Sequence, residues 1–214
     1  GDLVNFFIPN DHSNSQITTN SMIVEIQSKG AEINALLLSE FENYDDLPIP
    51  MIKNENSKFN ISLYTRDGRV LNTRDFYFKS NILEKDDEFV VSLKSSISES
   101  IYVVYEYVFP KNGYMFKVNF KSVGMESLLD NNQPPKINWS TNVFRNSRSI
   151  DYENRYTELT FGYEDDRVDY LSLSGDDEED RENIRWISYR QHFFSAILIP
   201  CLLYTSDAAD EWLR

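Results

Sequence analysis

The stretch IYVVYEYVFPKNGYMFKVNFKSV, residues 101–123, is the strongest indication of the fold class of this chain. Its first arm, residues 101–109, is almost entirely β-branched and aromatic, the composition that strands prefer. Asn112-Gly113 follows, and Asn-Gly is a strong hairpin turn because both residues tolerate positive φ. Apolar and polar side chains alternate in the second arm, so one face should be buried and the other solvated. The buried face is expected to hold Tyr114, Phe116, Val118 and Phe120.

Strand-like runs recur on both sides of this hairpin. Alternation typical of half-buried strands occurs at residues 22–26 and 59–64. Other apolar or β-rich runs lie at residues 33–38, 89–93, 137–143, 156–163, 168–173 and 184–200. Residues 31–44 could also form a helix from their Ala, Leu and Glu content, but the preceding strand and Gly30 favour a second strand. About ten closely spaced strands without a long amphipathic helix predict an all-β sandwich or barrel.

Two segments have the composition of loops. Residues 1–20 are rich in Asn, Ser, Asp and Thr, which predicts a polar tether leading into the first strand. Residues 174–182 form a nearly continuous acidic run, and a solvated loop between strands is the favoured interpretation. A calcium site is the alternative, although the spaced acidic pattern of a calcium loop is missing.

Composition excludes several classes of function. The 214 residues include one cysteine and two histidines, too few for a disulfide framework or for a zinc site built from Cys and His. A net charge of −14 argues against binding to nucleic acid, which depends on clustered Lys and Arg. No stretch of about 18 consecutive apolar residues occurs.

The sequence contains none of the common catalytic motifs. A nucleophile elbow, a phosphate loop, HExxH and a dinucleotide fingerprint are all missing. His12 lies in the polar leader, whereas His192 stands beside Phe193-Phe194 and is predicted to be a structural or rim residue rather than a base. The sequence therefore predicts no catalytic residue, no cofactor and no metal site.

The last fourteen residues differ in character from the rest of the chain. Residues 201–211, CLLYTSDAADE, closely resemble the translation of a transposase-end sequencing adapter. We therefore expect residues 201–214, including Cys201, to be foreign to the natural protein and the natural sequence to be interrupted near Pro200. A short C-terminal helix starting around Ser206 is the alternative.

The segment IRWISYRQHFFSAILIP, residues 184–200, resembles a strand pair in the periplasmic domain of YidC-type membrane protein insertases. The matching positions are Trp186, Arg190, Gln191, Phe193, Phe194, Ser195, Ala196 and Ile199-Pro200. His192 stands where Gln is common in the family. Residues 20–38 and 105–123 are similar to the family's first strand pair and central hairpin, so the resemblance covers most of residues 20–200.

This resemblance implies an antiparallel β-supersandwich similar to galactose mutarotase, incomplete at its C-terminal end. The implied organisation is a polar leader over residues 1–19, a partial periplasmic domain over 20–200 and a non-native tail over 201–214. The domain would face the periplasm from the inner membrane of a Gram-negative, Bacteroidetes-like bacterium. An unpaired strand edge and an exposed apolar face are expected where further family strands would follow.

The implied function is not enzymatic. Proteins of this family insert and help fold nascent inner-membrane proteins, alone or with the Sec translocon, and the transmembrane insertase core is not in this segment. The motif residues from Trp186 to Pro200 are expected to be structural. A sugar-binding or mutarotase-like protein is the alternative, since the sandwich is shared, but that chemistry needs a His and a Glu in one cleft. A secreted structural domain without any insertase link is a third possibility.

Overall fold

The computed structural model describes residues 3–9, 14–172 and 178–201, which form two compact units. The N-terminal unit spans Gly1–Asn146 and the C-terminal unit spans Ser147–Arg214. Antiparallel strands are the main regular secondary structure in the described parts of both units, so the prediction of an all-β fold is confirmed. Outside the described residues lie residues 10–13 of the leader, which include His12, residues 174–177 of the acidic run, and the predicted foreign tail after Cys201.

The described residues of the N-terminal unit form three antiparallel sheets. Its strands are β1 (Ser15–Thr18), β2 (Met22–Ile26), β3 (Ile33–Glu42), β4 (Pro48–Ile52), β5 (Ser57–Tyr64), β6 (Val70–Asn72), β7 (Lys79–Glu84), β8 (Glu88–Ser96), β9 (Tyr102–Pro110), β10 (Lys117–Val123) and β11 (Lys136–Thr141). The sheets have the orders β1-β2-β3-β4, β10-β9-β8-β7 and β11-β5-β6. Residues 33–42 form a strand, so the helical alternative for this region is wrong.

The predicted hairpin of residues 101–123 forms as β9 and β10, with Tyr105 opposite Phe120. Alternate side chains of β9, from Val103 to Phe109, are buried. Six residues separate the two strands, and only Gly113 of the Asn-Gly pair has a positive φ, at 95°. The predicted hairpin is therefore confirmed, but its connection is longer than the predicted turn, because residues 114–116 precede the first paired residue of β10, Lys117.

The second arm of the hairpin is also less buried than its alternation predicts. Tyr114 and Val118 are 41% and 40% exposed. Phe116 and Phe120 are half-buried and pack on Phe109 and Tyr105, with ring centroids 4.8 and 4.9 Å apart. This difference arises because β10 is the end strand of its sheet, where little protein is available to cover the apolar face.

Aromatic rings run through the core of the N-terminal unit. The rings of Phe6 and Phe76 stack with their centroids 4.4 Å apart, and both side chains are fully buried. Phe6 belongs to a 3-10 helix, Leu3–Phe7, and β1 follows at Ser15–Thr18. The prediction of a polar tether over residues 1–20 is therefore wrong for its described part, because Phe6 is apolar enough to anchor the leader in the core.

A buried tyrosine joins two of these sheets. The Tyr107 hydroxyl donates a hydrogen bond of 2.7 Å to the carbonyl oxygen of Ala31, which lies in the connection between β2 and β3. Burial raises the pKa of Tyr107 well above 10, so the hydroxyl keeps its proton. Ala31 is fully buried and has a φ of 53°, which is uncommon for a residue other than glycine.

We expect Tyr107→Phe to lower the free energy of unfolding by about 1–2 kcal/mol, because it leaves the Ala31 carbonyl buried without this donor. Tyr102→Phe is the matched control, since Tyr102 lies on the opposite face of the same strand and its ring faces the Lys94 ammonium. Tyr102→Phe should change the free energy of unfolding by no more than about 0.5 kcal/mol. Urea denaturation of both variants measures the difference, and equal effects would contradict a role for the Ala31 contact.

Within its described residues, the C-terminal unit contains one short helix and one sheet. Helix α1 (Ile150–Tyr156) precedes strands β12 (Glu158–Tyr163), β13 (Val168–Ser172), β14 (Ile184–Arg190) and β15 (Ser195–Leu198), in the order β13-β12-β14-β15. The Ser149 hydroxyl caps the helix by accepting from the Tyr152 backbone N–H. Residues 178–182 are exposed and irregular, as predicted for this part of the acidic run.

Candidate functional site

The predicted motif of residues 184–200 folds as a hairpin, β14 and β15. Its turn closes through a 2.8 Å hydrogen bond from the Gln191 backbone N–H to the Phe194 carbonyl. The pairing register places Ser195 opposite Arg190 and Ala196 opposite Tyr189. The prediction of a strand pair in this segment is confirmed.

Trp186 lies against a glycine of the neighbouring strand. The two strands pair so that Trp186 is opposite Gly162 of β12. A Cβ atom at Gly162 would lie 2.3 Å from both Cε2 and Nε1 of the indole. The ring therefore occupies the space that a side chain at residue 162 would need, and this close approach requires glycine.

Gln191 connects the hairpin turn to helix α1. Its side chain is buried and its Nε2 donates to Glu153 Oε1 at 3.4 Å. Glu153 is also buried, and its Oε2 accepts a 2.7 Å hydrogen bond from the Ser147 backbone N–H. A buried carboxylate is tolerated when hydrogen bonds satisfy it. The pair therefore fixes the turn against the helix.

Arg190 forms an ion pair with Glu158 at the surface. Its Nη1 lies 2.6 Å from Glu158 Oε1, and the two residues are opposite each other on β14 and β12. The Glu158 side chain is only 17% exposed, so solvent screens this ion pair less than a fully exposed one.

The remaining motif residues are more exposed. Phe193 is 67% exposed, whereas Phe194 is half-buried. Ser195 and Pro200 are exposed and Ala196 is half-buried. Strand β15 is the end strand of its sheet among the described residues, and Ile197 is 58% exposed on it. The predicted motif residues thus share one hairpin but do not converge on one point.

His192 packs among aromatic rings. Its ring stacks on Tyr156 with centroids 4.8 Å apart, and the Phe193 ring lies 4.0 Å away. Its Nδ1 is buried and has no hydrogen-bond partner among the described residues. A general base is normally oriented by a hydrogen bond to its second ring nitrogen. The packing of this ring is that of a structural side chain.

Sequence reasoning missed Glu153, Gly162 and helix α1. The seven-residue helix is too short to show a clear helical period, and a lone glutamate gives no signal of burial. Within the described residues, no group of three His, Cys, Asp or Glu side chains could hold a metal ion. None of the helices in the described ranges has the length and hydropathy needed to cross a membrane.

Comparison with known proteins gives consistent matches. The family profile described as the YidC periplasmic domain matches residues 14–208. Proteins named membrane protein insertase YidC are 28% identical in Porphyromonas gingivalis, over 86% of this chain and 29% of that protein, and 29% identical in Bacteroides fragilis, with the same coverage. A third, from Chloroherpeton thalassium, is 25% identical over 93% of this chain and 35% of that protein. The chain thus spans about a third or less of the length of these relatives.

Proposed function

Since the chain belongs to the YidC periplasmic domain family, we propose that it serves as the periplasmic part of a membrane protein insertase at the bacterial inner membrane. The observation that supports this proposal most strongly is the profile match over residues 14–208, which covers most of each unit. The Bacteroidetes relatives carry the name of a membrane protein insertase. The rest of such a protein would perform insertion itself.

We further propose that this segment is a scaffold or partner-contact domain and not an enzyme. The contacts of the motif support a structural role. Trp186 packs on Gly162, Gln191 bonds to Glu153, and Arg190 pairs with Glu158. Each side chain is engaged with a neighbouring element rather than aimed at a common point where a substrate could react. The whole insertase would act on nascent inner-membrane proteins, alone or together with the Sec translocon.

The domain organisation remains part of the same proposal. We propose that residues 20–200 belong to the periplasmic domain and that residues 201–214 are foreign to it. Sequencing the genomic locus beyond the codon for Pro200 tests the boundary. An open reading frame that runs unchanged through Cys201 to Arg214 would contradict a foreign tail. A different continuation leading into about five apolar segments of roughly 20 residues would support the insertase.

A chimera tests the location and the role of the domain. Residues 20–200 replace the aligned segment of the Bacteroides fragilis insertase, and a matched deletion of that segment serves as control. We expect added protease to cut the chimeric domain once the outer membrane is opened, before the inner membrane is lysed. After the native insertase is depleted, the chimera should insert a newly made inner-membrane protein at least as efficiently as the deletion variant does. A domain cut only after inner-membrane lysis would contradict the proposal.

A further inference from the structure

A polar cleft of about 670 Å³ opens over the sheet β11-β5-β6 of the N-terminal unit. Strand pairing places Asn138 opposite Asn60, and Asn72 opposite Ser62, so these four side chains share one face of the sheet. Asn60 and Ser62 are nearly fully buried there. Buried polar side chains gathered on one sheet face are informative, because apolar residues are the usual choice at such positions.

Hydrogen bonds within this face consume most of its acceptors. Asn60 Nδ2 donates to Ser62 Oγ at 3.1 Å and to Asn72 Oδ1 at 3.0 Å. Ser62 Oγ donates to the same Asn72 Oδ1 at 2.8 Å and accepts from Asn138 Nδ2 at 3.1 Å. Asn60 Oδ1 in turn accepts from the Arg74 backbone N–H at 3.1 Å. The network fixes the orientation of each amide.

The groups left over are mostly donors. Both lone pairs of Asn72 Oδ1 are occupied, so the amide nitrogen of Asn72 is free to donate, and nothing in the described part of the chain accepts from it. Asn138 retains one N–H hydrogen and its carbonyl oxygen. The cleft therefore matches a ligand that is rich in hydrogen-bond acceptors.

Two cations line the same cleft. Lys58 and Arg74 are both exposed, and neither has an ion-pair partner within the described ranges. Burial raises the pKa of Glu32 above its usual value. The positive charges of Arg74 and Lys58 lower that pKa, but by less than burial raises it. The oxygens of Glu32 also accept from the Phe59 N–H and the Gln27 amide. Two cations without ion pairs are notable in a chain with a net charge of −14.

We propose that this cleft binds a small hydroxyl-rich molecule that carries an oxyanion, of the class of sugar acids and sugar phosphates. Lys58 and Arg74 would hold the carboxylate or phosphate, and Arg can bind such a group through two parallel hydrogen bonds. The amides of Asn72 and Asn138 would bind hydroxyl oxygens. The cleft volume lies within the range of roughly 300–1,000 Å³ that small-molecule sites occupy. Binding of this ligand would not require that the protein take part in membrane insertion.

Isothermal titration calorimetry on the whole chain tests the proposal with two matched pairs of ligands, galacturonate against galactose and glucose 6-phosphate against glucose. At least one anion should bind at least about tenfold more tightly than its neutral partner, because charge-assisted hydrogen bonds are the stronger kind. Its binding should weaken as salt is added. Inorganic phosphate distinguishes a free oxyanion from a sugar derivative, and phosphate that bound as tightly as glucose 6-phosphate would contradict the sugar part of the proposal.

Variants locate the binding. K58Q combined with R74Q should reduce the affinity for the anion at least about tenfold. N72D keeps the acceptor that the network uses but replaces the free donor by a carboxylate, and should also weaken binding. K117Q combined with K121Q is the control, since it removes two exposed charges from β10 and should leave affinity unchanged. Equal binding of neutral and anionic sugars, no binding of either anion, or equal affinities in both double variants would overturn the proposal.

Discussion

Replacing Phe76 with alanine is expected to lower the free energy of unfolding of the N-terminal unit by about 3–5 kcal/mol. Phe76 is fully buried and its ring stacks on Phe6 with centroids 4.4 Å apart. Phe7 meets it edge-on at 5.3 Å, and Phe78 follows at 6.4 Å. Truncation would remove the transfer free energy of the ring, leave a cavity, and release the segment that contains Phe6 from the core.

Urea denaturation of the Phe76→Ala variant measures this effect, with hydrogen exchange of β8 and β9 amides reporting on the N-terminal unit alone. Phe41→Ala is the matched control, because the same ring is removed from a side chain that is 43% exposed. We expect Phe41→Ala to lower the free energy of unfolding by about 1 kcal/mol or less. If the two variants were equally stable, the assignment of Phe76 to the core of the N-terminal unit would be wrong.

Gly162→Ala is expected to destabilise the C-terminal unit by about 1–3 kcal/mol or more. The added Cβ would lie 2.3 Å from two atoms of the Trp186 indole, which is inside the contact distance of any pair of heavy atoms. The indole or one of the two strands must therefore move. Because Gly162 and Trp186 are opposite each other on β12 and β14, such a movement disturbs the pairing that carries the motif hairpin.

A double-mutant cycle identifies the cause of that loss. Trp186→Ala removes the ring, so adding Gly162→Ala to this variant should cost no more than about 0.5 kcal/mol further. Hydrogen exchange of β12 and β14 amides measures the stability of each variant. A cost of Gly162→Ala that is the same with and without the indole would show that the contact with Trp186 is not responsible.

The outcome bears on how the family motif is understood. Trp186, Gln191 and Arg190 each contact a residue outside the hairpin, namely Gly162, Glu153 and Glu158. If the cycle shows strong coupling, the motif stabilises the packing of the C-terminal unit. Phe193 of the same motif is, by contrast, 67% exposed.

Much of the fold could be predicted from local patterns. Alternation in β2 and β5 correctly placed those strands, the β-branched and aromatic composition of residues 101–109 placed β9, and the motif of residues 184–200 correctly indicated a strand pair. The errors share one physical origin. Burial of Phe6, exposure of Val118 and formation of helix α1 depend on what lies beside those residues in space. A local pattern carries no information about that surrounding protein.

The sequence by itself determined that this chain is all-β, that it carries no recognised catalytic motif, and that residues 184–200 resemble a motif of the YidC periplasmic domain. Only the tertiary structure decided which side chains meet. Gln191 bonds to Glu153 across 38 residues, and Asn138 bonds to Ser62 across 76. The period of two is a property of one strand and can be read along the chain, whereas strand order and register are settled when distant strands pair. The contacts of Trp186 with Gly162 and of Arg190 with Glu158, and the donor-rich cleft, arise from that pairing.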